Sequence, residues 1–178
     1  MEFKIENTQV YGLENAIIKS GNPMRTSISS NTKPTEKDIK RMTTLGNAKS
    51  GSGHDCALKG IIIQFDVTAP LYWWKQAQRY SWLDFISSTS SMHCITKFNI
   101  KEQCNKYVFT ETIEKLQNLI KEYNNQEQKD KELWYTIISN IPSGFHLGAS
   151  MTTNYLQLKT IYNQRKGHKL HIEWGRFC

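Results

Sequence analysis

The sequence predicts a mixed α/β domain of α+β character, a mixed central sheet flanked by helices. Three observations lead there. Lys59 to Thr68 gathers Ile61, Ile62, Ile63, Phe65 and Val67, which are β-favouring and partly alternate with polar residues. Phe109 to Tyr123 repeats Ile113, Leu116, Leu119, Ile120 and Tyr123 at the 3.6-residue period of an amphipathic helix. The segments also lack the regular strand–helix alternation of a doubly wound fold. A chain of 178 residues suits a single domain over 1–178, with 1–50 as an N-terminal strand, helices and loop. Its 20 aromatic residues are enough to seed a core, despite a polar mean hydropathy of −0.58.

The elements follow in order. Met1 to Ile5 alternates and reads as a short strand. Val10, Leu13, Ile17 and Ile18 predict a helix over 10–19, ended by Ser20-Gly21-Asn22-Pro23. A polar loop, 25–33, precedes a helix from Thr35 to Leu45, with Thr35 as N-cap, Asp38 three residues on, and Gly46-Asn47 as the stop. Gly51-Ser52-Gly53 is the most flexible stretch. After the strand over 59–68, Pro70 opens a helix over 71–83, because proline fits a first helical turn. Residues 85–92, rich in Ser and Thr, read as a loop, and 93–98 as a further strand. Helices are expected over 109–123, over 131–140 up to Pro142, and over 154–164.

Composition narrows the function. Lys and Arg number 23 against 16 acidic residues, a net charge of +7, which favours anionic partners. Lysines dominate without forming a dense run, so a nucleic-acid tail is not indicated. No apolar run is long enough to span a bilayer and the N-terminus has no signal-peptide core, so a cytoplasmic protein is expected. Cys56, Cys94, Cys104 and Cys178 form no CxxC, and the histidines miss zinc-finger intervals, which argues against a metal site and for reduced thiols.

Chemistry-bearing residues are few. The arginines, Arg25, Arg41, Arg79, Arg165 and Arg176, offer planar forks suited to phosphate. Gln78-Arg79-Tyr80 opens onto Ser87-Ser88-Thr89-Ser90-Ser91-Met92-His93, either a phosphate cradle of hydroxyls beside an arginine or a solvated loop. Ser90 and His93 lack an orienting carboxylate and an oxyanion hole, which speaks against a hydrolase. The stretch from Asn154 to Arg176, with Arg165, binds anions or forms a charged helix face. Trp73, Trp74 and Trp82 stack on a base or are buried. No GxGxxG and no GxxxxGK[ST] is present.

Three blocks, in order and near register, resemble the flavin-dependent thymidylate synthases. That family has a His-x-(Ser/Thr)-Pro-Phe-Glu-His block before a strand. An Ala/Pro turn follows, then a helix ending in Arg-His-Arg, then Ser, Asn-Glu, Ser and Arg-Tyr. Here His54 to Gly60 leads into the strand, Pro70 stands nine residues before Arg79, and Ser90-Ser91-Met92-His93 aligns with the Ser-x-Arg-Tyr end. Ile141-Pro142, Asn154, Arg165 and Glu173 resemble the family's last block, so the resemblance covers about 50–178. A branch from low-GC bacteria and their phages, with Tyr-Trp-Trp and Ser-Thr-Ser-x-Met-His elements, is closer still.

The resemblance implies a synthase-like fold, a homotetramer with sites shared between subunits, and a site drawn from Arg79, Tyr80, Ser90, His93, Asn154, Arg165, Trp74, His54 and Lys59, to which Arg25 is added as a further arginine. The departures shape the expected function. Lys59 stands at the family's flavin-contacting Glu, Gly60 at its His, and Arg79-Tyr80-Ser81 replaces Arg-His-Arg. Ser87-Ser88 replaces Asn-Glu, Met92 the substrate-activating Arg, and Ile138 a phosphate-binding Arg. Each loss of an Arg removes a fork that holds phosphate or polarises a uracil ring. The expectation is a nucleotide-binding protein without synthase chemistry and without catalytic residues or cofactor. It would bind or sequester a phosphorylated nucleotide, including a host signal if the source is a phage. The rival is a divergent, FAD-dependent enzyme modifying a pyrimidine nucleotide.

Overall fold

The computed structural model describes residues 1–178. In chain order the elements are β1 (Lys4–Tyr11), α1 (Leu13–Lys19), α2 (Glu36–Gly46), β2 (Ile62–Pro70), α3 (Leu71–Ala77), β3 (Asp84–Ser88), α4 (Ser91–Cys94), α5 (Ile100–Gln103), α6 (Thr110–Asn125), α7 (Lys131–Ser139), β4 (His146–Asn154), α8 (Tyr155–Arg165) and α9 (Glu173–Phe177). Short 3-10 turns occupy Asn22–Met24, Cys56–Gly60 and Ile95–Lys97. The four strands form one antiparallel sheet in the order β1-β2-β4-β3. The mixed α/β class with helices around a central sheet is as expected, and the sheet is antiparallel throughout where a mixed one was expected.

Alternation along β2 sorts its side chains onto two faces. Ile63, Phe65, Val67 and Ala69 point into the main core with Ala149 and Met151 of β4. Trp73, Trp74 and Ala77 of α3, Ile161 of α8 and Trp174 of α9 complete that core. The opposite face carries Gln64, Asp66, Thr68, Gly148, Ser150 and Thr152, all half-buried in the single chain. A second core joins Ile100, Leu116, Ile120, Ile137 and Phe145 beneath α5, α6 and α7. A third, of Ala16, Met42, Leu58 and Ile61, ties α1 and α2 to the turn before β2.

Several elements differ from expectation. The first strand runs to Tyr11 rather than Ile5, and the helix expected from Val10 starts at Leu13. Gly12 makes that switch at φ 75°, where a Cβ would sit 2.5 Å from the Gly60 carbonyl oxygen. The helix expected over 71–83 stops at Ala77. Of the residues 85–92, read as loop, 85–88 belong to β3 and pair with β4, while 93–98, read as strand, form helical turns. β4, the strand between β2 and β3, was not anticipated at all. The N-cap at Thr35 is as expected: its hydroxyl accepts from the Asp38 N–H, and Asp38 accepts from the Thr35 N–H, a reciprocal capping box.

Candidate functional site

The residues singled out from sequence fall into separate environments. Arg165, at the end of α8, directs Nε to the Tyr80 hydroxyl at 2.7 Å and Nη1 to Gln76 Oε1 at 3.4 Å. Its guanidinium also lies 4.8 Å from the Trp174 ring centroid. Gln76 accepts the Trp174 indole N–H as well, at 2.9 Å, and Tyr80 donates to Gln164. The Nε and Nη1 groups of this half-buried fork are therefore held by an aromatic and amide cage. Tyr80 is buried in that cage, and Trp74 is buried with its indole N–H on the Ala69 carbonyl, so neither offers a free face for a base. Of the tryptophans, Trp82 is the exposed one, at 65%. Arg25 donates to Asp38, Asn22 and the Ile18 carbonyl, which commits it to the loop before α2.

The remaining residues are more accessible and lie at two ends of the sheet. His54 and Lys59 are exposed around the turn that leads into β2. Ile62 pairs with Asn154, so that turn adjoins the start of α8, where the Asn154 side chain accepts from Gln157 N–H at 2.9 Å. Arg79 is exposed beyond the end of α3. Ser90 accepts from the His93 N–H at 3.3 Å, and Thr89 bonds to the Gly148 carbonyl at 2.8 Å. Gly148 and Asn154 are separated along β4 by about 20 Å at strand rise. One chain therefore brings Lys59 together with Asn154, and Ser90 with His93, but not the two pairs with each other. Met92, at the family's activating Arg, is exposed, and Ile138 packs against the second core.

A groove of about 350 Å³ runs over the open face of the sheet beside the Ser-rich segment. Asp66, Thr68, Ser87, Ser88, Thr89, Gly148 and Ser150 line it. Asp66 receives hydrogen bonds from Asn7 Nδ2 at 2.7 Å and from Ser150 Oγ at 2.6 Å. Those two bonds, Asn7 first, hold its carboxyl below the usual carboxylate range, since both favour the charged form. Asn7 reaches Asp66 from a left-handed conformation, φ 53°, at the irregularity of β1 between Glu6 and Gln9. Sequence reading missed Asp66 and Ser150. The alternation around Phe65 and Val67 already put Asp66 on the outer face, but without β4 nothing placed Ser150 beside it.

A larger cavity of about 1330 Å³ lies between α1, α2 and α8. It is mainly apolar, with Leu13, Ile39, Leu58, Tyr155 and Tyr162 among its walls. Lys159 at its border pairs with the buried Asp55 at 2.7 Å and with the Ala48 carbonyl, fastening the Gly-rich loop to α8. The four cysteines are free, no group of three or more His, Cys, Asp or Glu gathers to hold a metal ion, and no helix is long and apolar enough to cross a membrane.

No protein-family model and no curated protein matches the sequence. Among solved structures, the chain is similar in fold to flavin-dependent thymidylate synthase ThyX from Helicobacter pylori complexed with FAD and dUMP. The TM-score is 0.69 at 14% identity, over 95% of this chain and 86% of that one. A second ThyX structure from Helicobacter pylori, also with FAD and dUMP, gives 0.67 at 14% identity with the same coverage. The UMP/dUMP methylase PolB from Streptomyces cacaoi, bound with 5-Br dUMP, gives 0.57 at 12% identity, over 88% and 75% of the two chains. The protein thus has a ThyX-like fold, and the likeness extends to the N-terminal 50 residues that the sequence blocks did not cover.

Proposed function

We propose that this protein binds a phosphorylated nucleotide and has lost the chemistry of the synthases whose fold it shares. One observation carries the reading. A hydroxyl-lined groove opens beside Ser90 and His93 on a fold that holds dUMP in ThyX and 5-Br dUMP in PolB. The loss of chemistry rests on Lys59, Ser81, Met92 and Ile138, which stand where the resembled family uses a carboxylate or arginines. Ile138 now serves packing, so no phosphate fork can form there. Arg79, Ser90, His93, Asn154, His54 and Lys59 remain as ligand contacts.

The distance between the Ser90 and Asn154 ends exceeds a mononucleotide, which supports a site completed by a second copy and hence the homotetramer. In a phage, such a protein would sequester a host nucleotide in the cytoplasm.

A flavin does not fit the residues of one chain. Its diphosphate asks for several free forks, yet Arg165 and Arg25 are engaged by Tyr80, Gln76 and Asp38, which leaves Arg79 alone among these arginines, and the aromatic faces of Trp74 and Tyr80 are buried. A flavin-dependent enzyme acting on a pyrimidine nucleotide is the second reading, favoured by the FAD of the Helicobacter pylori ThyX structures.

The test is mass spectrometry of the small molecule that copurifies, with calorimetric titration of UMP and dUMP into the stripped protein. Micromolar binding without conversion is expected. Flavin absorbance in the purified protein, or thymidylate formed from dUMP with methylenetetrahydrofolate, flavin and NADPH, would replace this reading with the second.

A further inference from the structure

The groove on the open sheet face has a chemistry of its own. Register places Asp66 opposite Ser150, and Ser150 opposite Ser87, a row across three neighbouring strands on one face. The next row is Thr68 opposite Gly148, with Thr89 bonded to both the Gly148 carbonyl and N–H. Gly148 thus forms a floor without a side chain between two threonines. The lining holds one carboxylate, several hydroxyls and no cation.

That donor set selects among ligand classes. Phosphate is disfavoured, because the Asp66 carboxylate within the lining repels it, and the nearest ammonium by register, Lys4 opposite Thr68, is exposed and lies outside the lining. A hard divalent cation asks for more charged oxygens than this single carboxylate supplies. An apolar ligand would strand the hydroxyls without partners. A neutral group with adjacent hydroxyls satisfies every part. Two of the carboxylate's roughly four lone-pair positions are taken by Asn7 and Ser150. Two remain to accept from a vicinal diol, as acidic residues do from ribose in dinucleotide folds. The groove, at about 350 Å³, lies within the range of ligand-sized cavities.

We propose that Asp66, with Ser150, Ser87 and Thr68, binds the 2′,3′-diol of a ribose, so that the ligand is a ribonucleotide and not a deoxyribonucleotide. This rests on the nucleotide reading above and narrows its substrate class. Asn7 is a positioning residue that orients the carboxylate, while the Ser150 hydroxyl donates to Asp66 and keeps its lone pairs for the diol. Thr89 and Ser91 are two residues apart, at most about 7 Å of chain. The sugar in the groove therefore leaves the 5′-phosphate near the Ser-rich segment.

The experiment titrates UMP, dUMP and free D-ribose into wild type, Asp66→Asn and Gly148→Val, with folding checked by circular dichroism. Wild type should bind UMP about tenfold or more tighter than dUMP, because the deoxy sugar leaves an acceptor unpaired. Asp66→Asn should weaken UMP more than dUMP and narrow the gap between them, because dUMP keeps only the 3′-hydroxyl as a partner for the carboxylate. Gly148→Val tests the floor: a Cβ there meets only Thr68 Oγ1 and Thr89 Cγ2, both at 3.9 Å, so a side chain fits but fills the groove. It should weaken UMP at least as much as Asp66→Asn does. Ribose should shift the amide resonances of Gly148 and Thr89 in wild type and not in Gly148→Val. Equal UMP and dUMP affinities, unchanged in both variants, would overturn the diol assignment while leaving nucleotide binding in place. Binding of neither nucleotide, with ribose also silent, would overturn both.

Discussion

Arg165, expected as a ligand contact, is tied into the protein by its own fork. Its side chain spans from the end of α8 to Tyr80 and Gln76, and its flat face rests on Trp174. Removing it deletes a cation–π contact worth roughly 0.5–2 kcal/mol and charged hydrogen bonds of similar size. Arg165→Ala should therefore cost about 1–3 kcal/mol in urea unfolding, and Arg165→Lys should recover only part of that, lacking the fork. Nucleotide affinity of the folded Ala variant should change less than threefold. A thirty-fold loss of affinity at unchanged stability would return Arg165 to the ligand. The arginine's location was legible from sequence, but its partners were not. Gln76 lies 89 residues away in the chain, and no local pattern turns the Trp174 ring back onto the guanidinium.

At the scale of elements, local signals succeeded where one residue type dominates the outcome. Thr35 and Asp38 announced the start of α2, and the apolar period announced α6. They failed where pairing decides. His146 to Asn154 is a central strand whose sequence, HLGASMTTN, is mostly small or polar; it is held by β2 along its whole length and by β3 on the other side. Asp84 to Ser88 is a strand for the same reason, and its serines are the groove wall rather than a loop.

The capping box carries a further consequence. The Asp38 carboxylate accepts from the Thr35 hydroxyl at 2.7 Å and the Thr35 N–H at 3.0 Å, and pairs with Arg41 and Arg25. The Thr35 bonds, followed by Arg41, hold its carboxyl far below the usual carboxylate range. A depressed folded-state value stabilises the protein above the unfolded value, about pH 4, and that contribution is lost as pH falls below it. In urea unfolding, wild type should exceed Asp38→Asn by a constant margin from about pH 7 to 5, with the gap narrowing below about pH 4. A gap that stays constant down to about pH 3 would show that Asp38 does not carry this acid sensitivity.

The whole molecule exposes more surface than a chain of its mass should. Its accessible area is 11622 Å², whereas a compact monomer of 20.7 kDa is expected to show about 8,900 Å². The excess, about 2,700 Å², matches what obligate interfaces cover. Part of it lies at the edge of the sheet. β3 is an edge strand with all five residues exposed, Ile86 at 53% among them, and Trp82 at 65% stands just before it. Unblocked edges of this kind pair with other chains. The same edge borders the groove, so a second copy seated there would stand beside Ser90 and supply the cations that the single chain keeps at the far end of β4. Light scattering at micromolar concentration should therefore give a multiple of 20.7 kDa, four copies being expected. Ile86→Lys, an exposed change that removes no core contact, should lower that mass and weaken nucleotide binding together. A 20.7 kDa species in wild type would overturn the shared site. A variant that stays assembled would move the interface away from β3, to the apolar walls of the large cavity between α1, α2 and α8.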